Sequence, residues 1–214
     1  MNEQNNGLNL VYTLEGKIYI NLTNLCPNRC VFCIRNLSDE VEGKNLWLKD
    51  EKIDSSDVID QFEEVISENP DAKEVVYCGF GEPLLKPEIL FQTAKYIKEY
   101  YPEIKIRINT NGQGNLISKR NLIPEIKECI DSVSVSLNAE NKEKYNRYSK
   151  PSDPENAYEA VKKFIKECSS SGIETVATVV SGFPECDVDI AECEKISHNL
   201  GAKFRVREWL PKGY

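Results

Sequence analysis

The chain has 214 residues, enough for one large domain with a substantial core. Its 27 Lys and Arg against 35 Asp and Glu leave a formal charge of −8, which argues against an extended nucleic-acid surface. Eight Cys against one His rule out a His-rich metal site and leave a Ser-His-Asp hydrolase little to work with.

In chain order, residues 1–16 read as a lead-in segment and 17–214 as one core domain. The N-terminus, MNEQNNGLNL, is polar and lacks the apolar stretch of a secretory signal. No apolar run approaches the roughly 18 residues of a membrane span. The expectation is a cytoplasmic protein with reduced thiols, where surplus Cys means metal or redox chemistry.

Lys17–Leu22 (KIYINL) predicts the first strand, followed by a Cys-rich loop and a polar stretch to about residue 56. Asp57–Asn69 reads as a helix capped by Ser55 or Ser56. Residues 75–78 form a strand running into Gly79-Phe80-Gly81-Glu82-Pro83, and Pro87 opens a helix to about Tyr101. Lys105–Asn109 is a strand ended by TNGQG, Ser118–Cys129 a helix, and Ser132–Leu137 a strand. Residues 142–150 read as solvated helix and loop. Pro154–Ser170 is a helix stopped near Gly172, and Glu174–Val180 a strand. Asp187–Leu200 is a helix ended by Gly201, and Phe204–Glu208 the last strand.

Six strand-then-helix units imply parallel strands with right-handed crossovers. Six are too few for a complete eight-fold barrel. Along the strands, Ile106 and Ile108 oppose Arg107 and Asn109, Val133 and Val135 oppose Ser134 and Ser136, and Phe204 and Val206 oppose Arg205 and Arg207. A doubly wound sheet would be apolar on both faces. One polar face predicts a partial (βα)6 TIM-like barrel with outer helices and a polar concavity; an antiparallel sheet with one wet face is the alternative.

The strongest single signal is Cys26-Pro-Asn-Arg-Cys30-Val-Phe-Cys33 directly after a strand. Three closely spaced thiolates can wrap one corner of a cuboidal iron–sulfur cluster and leave one metal position open. A structural zinc loop with His198 or a distant Cys as fourth ligand is the alternative. Cys78, Cys129, Cys168, Cys186 and Cys193 are dispersed, and buried packing is the default for such thiols. Trp47 and Trp209 read as packing residues, with Trp209 a candidate pocket wall.

The C-x3-C-x2-C loop, with Phe32 before the third Cys, resembles the radical S-adenosylmethionine (SAM) superfamily. Gly79–Pro83 is similar to that family's GGEP segment, Thr110-Asn111-Gly112 to its TNG element, and Ser136-Leu137-Asn138 to its SLD element. The phrases IYINLTNLCPNRCVFCIR, CGFGEP and FRVREWLP resemble in particular the TatD-linked radical SAM family. Phe80 stands where the family has its first Gly, and Asn138 where many members carry Asp.

The resemblance implies a [4Fe–4S] cluster on Cys26, Cys30 and Cys33, with SAM on the fourth iron. Reductive cleavage would yield a 5′-deoxyadenosyl radical that takes hydrogen from a substrate. It implies SAM contacts from Phe32 beside adenine, from the backbone of Gly79, Phe80, Gly81 and Pro83, and from the Glu82 carboxylate toward the amino group. Thr110, Asn111, Ser136 and Asn138 would meet the carboxylate or ribose. Arg107, Arg205 and Arg207 on the polar face are candidate anion-binding groups for the substrate, or are paired internally with Glu82 or Glu208. An electron donor such as flavodoxin or ferredoxin is implied, with a small-molecule substrate or a partner-protein segment, and a link to a TatD-type hydrolase. Rival readings are a glycyl-radical-type activase, a small-molecule modifier like 7-carboxy-7-deazaguanine synthase, and a non-enzymatic zinc-loop binding protein.

Overall fold

The computed structural model describes residues 9–41, 43–49 and 52–210. Residues 1–8 of the lead-in, and residues 211–214 with the final Pro of FRVREWLP, lie outside the described residues. The chain runs β1 (Val11–Leu14), β2 (Lys17–Ile20), β3 (Glu40–Val41), β4 (Lys44–Asn45), α1 (Ser55–Glu68), β5 (Glu74–Tyr77) and α2 (Pro87–Tyr100). It continues through β6 (Lys105–Thr110), α3 (Gly114–Ser118), α4 (Ile123–Cys129), β7 (Ser132–Ser136) and α5 (Lys142–Ser149). It ends with α6 (Ala157–Ser170), β8 (Glu174–Ser181), α7 (Ile190–Asn199) and β9 (Lys203–Glu208).

One seven-stranded sheet takes the order β1-β2-β5-β6-β7-β8-β9. The six strands from β2 onward are parallel. Among the described residues β9 does not close back on β2, so the barrel is partial. β1, inside the expected lead-in, adds an antiparallel edge in register Val11↔Ile20. The hairpin turn is Glu15-Gly16, both at positive φ (50° and 73°), which matches the twist of the flanking strands.

The strand alternation sorts the faces as expected. Ile18, Ile20, Val75, Tyr77, Ile106, Ile108, Val133 and Val135 belong to one core with the helices. α1 brings Val58, Phe62 and Ile66 to it, α2 Leu90, Ala94 and Ile97, and α6 Val161, Phe164 and Ile165. Cys129, Cys168 and Cys193 are buried there as small apolar groups. His198, near the end of α7, is exposed.

Two local expectations fail for identifiable reasons. The N-cap of α1 is Asp54, whose carboxylate accepts from Ser56 N and Asp57 N while Asp57 reaches back to Asp54 N. That reciprocal capping box starts the helix at Ser55. The single helix expected over Ser118–Cys129 is two short ones. Lys119 sits at φ 54°, which ends α3, and Pro124 lies in the first turn of α4. No helix of the described residues is long and apolar enough to cross a membrane.

Candidate active site

Four segments meet beyond the carboxyl ends of the parallel strands, where α/β sheets place their ligands. The first is the cysteine loop after β2. Cys26, Cys30 and Cys33 are free and half-buried. The loop is docked on the end of α5, whose last carbonyls have no partner within the helix. Arg29 N donates to Ser149 O (3.0 Å), Val31 N to Tyr148 O (2.9 Å), and Ser152 N to Pro27 O (2.8 Å). Beneath it, Gln113 Nε2 donates to Asn28 Oδ1 (2.7 Å), and both Gln113 Nε2 and Asn28 Nδ2 donate to Tyr145 Oη (3.2 Å each).

Burial holds the Cys26 thiol up to about 11, with the Glu82 charge adding to it. Burial pushes Cys30 up to about 12, with the neighbouring sulfurs of Cys33 and Cys26 adding. Asn111 Nδ2 faces Cys26 Sγ at 3.9 Å. The Cys26 and Cys30 thiols, which resist ionisation by burial and by their sulfur neighbours, together with the adjacent Cys33 suit a cationic iron–sulfur core, which would relieve both costs. Among the described residues no group of three or more His, Cys, Asp or Glu is arranged to hold a single metal ion.

The second segment is Gly79–Pro83. A Cβ at Gly79 would lie 1.9 Å from Asn21 Oδ1, and one at Gly81 2.2 Å from Thr23 O. The glycines therefore serve close approach to the chain's own residues around the cysteine loop. Glu82 N donates to Leu25 O at 2.8 Å. The Glu82 carboxylate is turned inward, 3% exposed, rather than presented to a ligand's amino group. It accepts from Thr110 Oγ1 (2.6 Å), Asn111 N (2.7 Å) and Leu84 N (3.1 Å). Despite those donors, burial holds its pKa up to about 7. Glu82 thus ties this segment to the third one, the TNG turn. The Phe80 side chain is turned away from the cysteine loop's sulfurs into the interior. Its ring packs edge-on against Trp47 at 5.1 Å in a second apolar cluster with Tyr12, Leu14, Val41 and Leu46. The Phe80 carbonyl accepts from Arg35 Nη1 at 2.9 Å.

Arg35 was not singled out from the sequence. Its Nη1 also donates to Asn24 O at 2.7 Å, and its guanidinium lies 5.2 Å over the Trp47 ring. It pins the cysteine loop to the Gly79–Pro83 loop; its place two residues after Cys33 was the available cue.

The fourth segment follows β7. Ser136 is half-buried at the strand end, while Asn138 is buried and donates through Nδ2 to Ser149 Oγ at 3.1 Å. Phe32 meets Phe183 edge-on at 6.3 Å, and Phe183 meets Trp209 at 5.0 Å. Phe183, in the loop after β8, is a wall residue the sequence did not reveal.

On the polar face Arg107 is paired, but with Glu74 rather than Glu82 or Glu208. Its Nε lies 2.8 Å from Glu74 Oε1, and Nη1 donates to Asn109 at 2.6 Å. Lys17 shares Glu74 at 2.7 Å. Arg205 Nη2 donates to Ser134 Oγ at 3.0 Å. Arg205 and Arg207 are exposed residues of β9 rather than buried ones.

The fold is an open parallel α/β barrel with a three-cysteine loop at the carboxyl end of its first parallel strand. The chain matches the radical SAM superfamily model over residues 20–195 and belongs to that superfamily. Enzymes of this class work with a [4Fe–4S] cluster and SAM. No curated protein matches the chain. Among solved structures it is similar to Streptococcus suis SuiB bound to S-adenosylmethionine, at 17% identity and TM-score 0.65, over 90% of this chain and 40% of SuiB. It is similar to a radical SAM methyltransferase from Sphaerobacter thermophilus, at 14% identity and TM-score 0.53, over 92% of this chain and 68% of that one. It also resembles TsrM from Kitasatospora setae with cobalamin and [4Fe–4S] cluster bound, at 14% identity and TM-score 0.55, over 91% and 38%. At these identities the likeness is one of fold. The chain spans about two fifths of the length of SuiB and TsrM.

Proposed function

We propose that Cys26, Cys30 and Cys33 hold a [4Fe–4S] cluster whose open iron binds SAM, and that the chain takes hydrogen from a substrate at this mouth. When bound, the two cofactors supply one-electron cleavage of the sulfonium and a 5′-deoxyadenosyl radical; position and access are the protein's share. The observation that carries the reading is convergence. The cysteine loop, Gly79–Pro83, Thr110–Gln113 and the turn after β7 meet at one end of the sheet, joined by Arg35, Glu82 and Asn138.

In this reading Glu82 is a brace. It fixes Asn111 and the Gly79–Pro83 backbone, whose carbonyls suit the ammonium of SAM. Phe32, Phe183 and Trp209 form an apolar wall that keeps water from a radical and offers a flat surface to adenine or substrate. Ser136 offers a hydroxyl to the carboxylate or ribose. Arg205, which donates to Ser134 Oγ, and Arg207, both exposed on β9, would meet an anionic substituent of the substrate. Membership of the TatD-linked branch, with a TatD-type hydrolase as functional partner and flavodoxin or ferredoxin as reductant, belongs to the same proposal on the motif resemblance.

The test is anaerobic reconstitution with iron and sulfide, reduction, and assay for 5′-deoxyadenosine from SAM. The expected protein is brown and cleaves SAM, and the Cys26→Ala/Cys30→Ala/Cys33→Ala variant is colourless. A colourless wild type carrying one zinc, or a full cluster in the triple variant, overturns the assignment.

A further inference from the structure

The parallel sheet ends on an open edge. β9 pairs with β8 on one side, and among the described residues no strand covers its other side. Just past the strand, Trp209 N donates to Ser181 O at 2.8 Å. Backbone groups along a strand alternate in direction, so Lys203, Arg205 and Arg207 turn their N–H and C=O toward β8. Those of Phe204, Val206 and Glu208 point outward from the edge. Side chains alternate as well. Lys203, Arg205 and Arg207 share the face toward the concavity, where Arg205 Nη2 reaches Ser134 Oγ on β7 at 3.0 Å. Phe204 and Val206 share the other face, where Phe204 packs on the core and Val206 is 42% exposed.

We propose that β9 takes an extended acidic segment of a partner protein as an added strand, with carboxylates opposite Lys203, Arg205 and Arg207 and apolar side chains beside Phe204 and Val206. In such an addition the main chain supplies affinity and the alternating side chains supply specificity. This rests on the reading above that Arg205 and Arg207 meet an anionic group, and not on the cysteine assignment. Charge selects this occupant over a second copy. An antiparallel pair of identical edges about a two-fold axis sets odd residues opposite odd ones, so the basic row would meet itself, and like charges directly opposite destabilise. A single sign of charge therefore blunts the edge against copies of itself and leaves it receptive to the opposite sign. On a chain of net charge −8 this basic row is a local reversal.

The probe is a fluorescent peptide of about eight residues, long enough to span β9, alternating Glu with Val. Its binding to the full reconstituted chain is followed by anisotropy. Three further peptides are compared: one N-methylated on its Val residues, one N-methylated on its Glu residues, and one with Lys for Glu. Wild type is expected to bind the probe saturably. A strand turns only alternate N–H groups to its neighbour, so one N-methylated peptide should bind about tenfold or more weakly and the other should not. The Lys peptide should also lose about tenfold or more. Val206→Pro removes one outward N–H without touching a bond to β8, as proline can on an edge strand, and should weaken binding of the probe by about tenfold. Absence of saturable binding overturns the proposal. Equal affinity for both N-methylated peptides means attraction by charge alone, which keeps the anion reading and overturns the added strand. A wild-type dimer at sedimentation equilibrium that Val206→Pro abolishes gives the edge to a second copy and overturns it too. Should Val206→Pro fold poorly, the N-methylated peptides on wild type decide. A chain that binds the probe but loads no cluster overturns the cysteine assignment alone, so the failures are distinct.

Discussion

Gly81 is where one added methyl group should disconnect two parts of the site. A Cβ there would lie 2.2 Å from Thr23 O, 2.5 Å from Leu25 O and 2.8 Å from Thr23 C. All three are backbone atoms just ahead of Cys26, so no side chain can swing aside. Reaching ordinary contact requires a separation of roughly 1 Å between the two loops. The Glu82 N to Leu25 O bond, now 2.8 Å, would not survive that movement. Overpacking costs about 1–3 kcal/mol, and the lost hydrogen bond about 1 kcal/mol more. For a chain of this size Gly81→Ala should melt roughly 5–15 °C lower. SAM affinity of the reconstituted protein should also fall, because Glu82 and the cysteine loop lose their common anchor. Calorimetry and equilibrium binding measure the two effects. Gly172→Ala is the control: nothing lies within 4 Å of its Cβ, so only its positive φ of 81° costs stability. If Gly81→Ala melted within about 2 °C of wild type and bound SAM equally well, the account of close approach would be wrong.

Glu82 should also make stability depend on pH. Its folded value, about 7, lies above the ordinary 4.5, so folding favours the protonated form. The stability it contributes is complete below about pH 4.5 and is lost as pH rises through about 7, roughly 3 kcal/mol in all. Urea unfolding from pH 5 to 8 should therefore show a steeper decline for wild type than for Glu82→Gln; parallel slopes would contradict the burial argument. Arg35→Ala should remove two charge-assisted bonds, to Asn24 O and Phe80 O, and weaken SAM binding by about 1.5–3 kcal/mol. Both bonds leave one nitrogen, Nη1, so Arg35→Lys, whose ammonium also carries several donors, should restore part of the affinity, and unchanged SAM binding in Arg35→Ala would refute the brace. Tyr145→Phe strands Asn28 Nδ2 at a buried site and should cost about 1–3 kcal/mol in denaturant unfolding; a neutral change would mean the network is dispensable.

Much of the architecture is local enough to be read along the chain. Strict alternation in KIRIN and SVSVS separates a core face from a polar face, because side-chain direction in a strand depends only on parity. The β1 hairpin was legible too: VYTL and KIYI flank a two-residue Glu-Gly turn. It is overlooked when the polar start of the chain is taken as a lead-in. The break between α3 and α4 was harder to see, since Lys119 at φ 54° is not a residue that announces a left-handed position.

The sequence alone determined the superfamily, the open parallel barrel and the cysteine loop, since spacing and strand-end motifs are properties of neighbouring residues. It also drew attention to Glu82, Asn138 and Arg107, but not to what each one touches. Only the tertiary structure decided that Glu82 binds Thr110 and Asn111, that Asn138 binds Ser149, and that Arg107 pairs with Glu74. Phe80, within the motif loop, proved to pack with Trp47. Each of these partners lies outside the span of a local pattern, 11 to 33 residues away. Which donor a buried carboxylate or amide finds depends on the elements that bury it, and that is settled when the strands assemble.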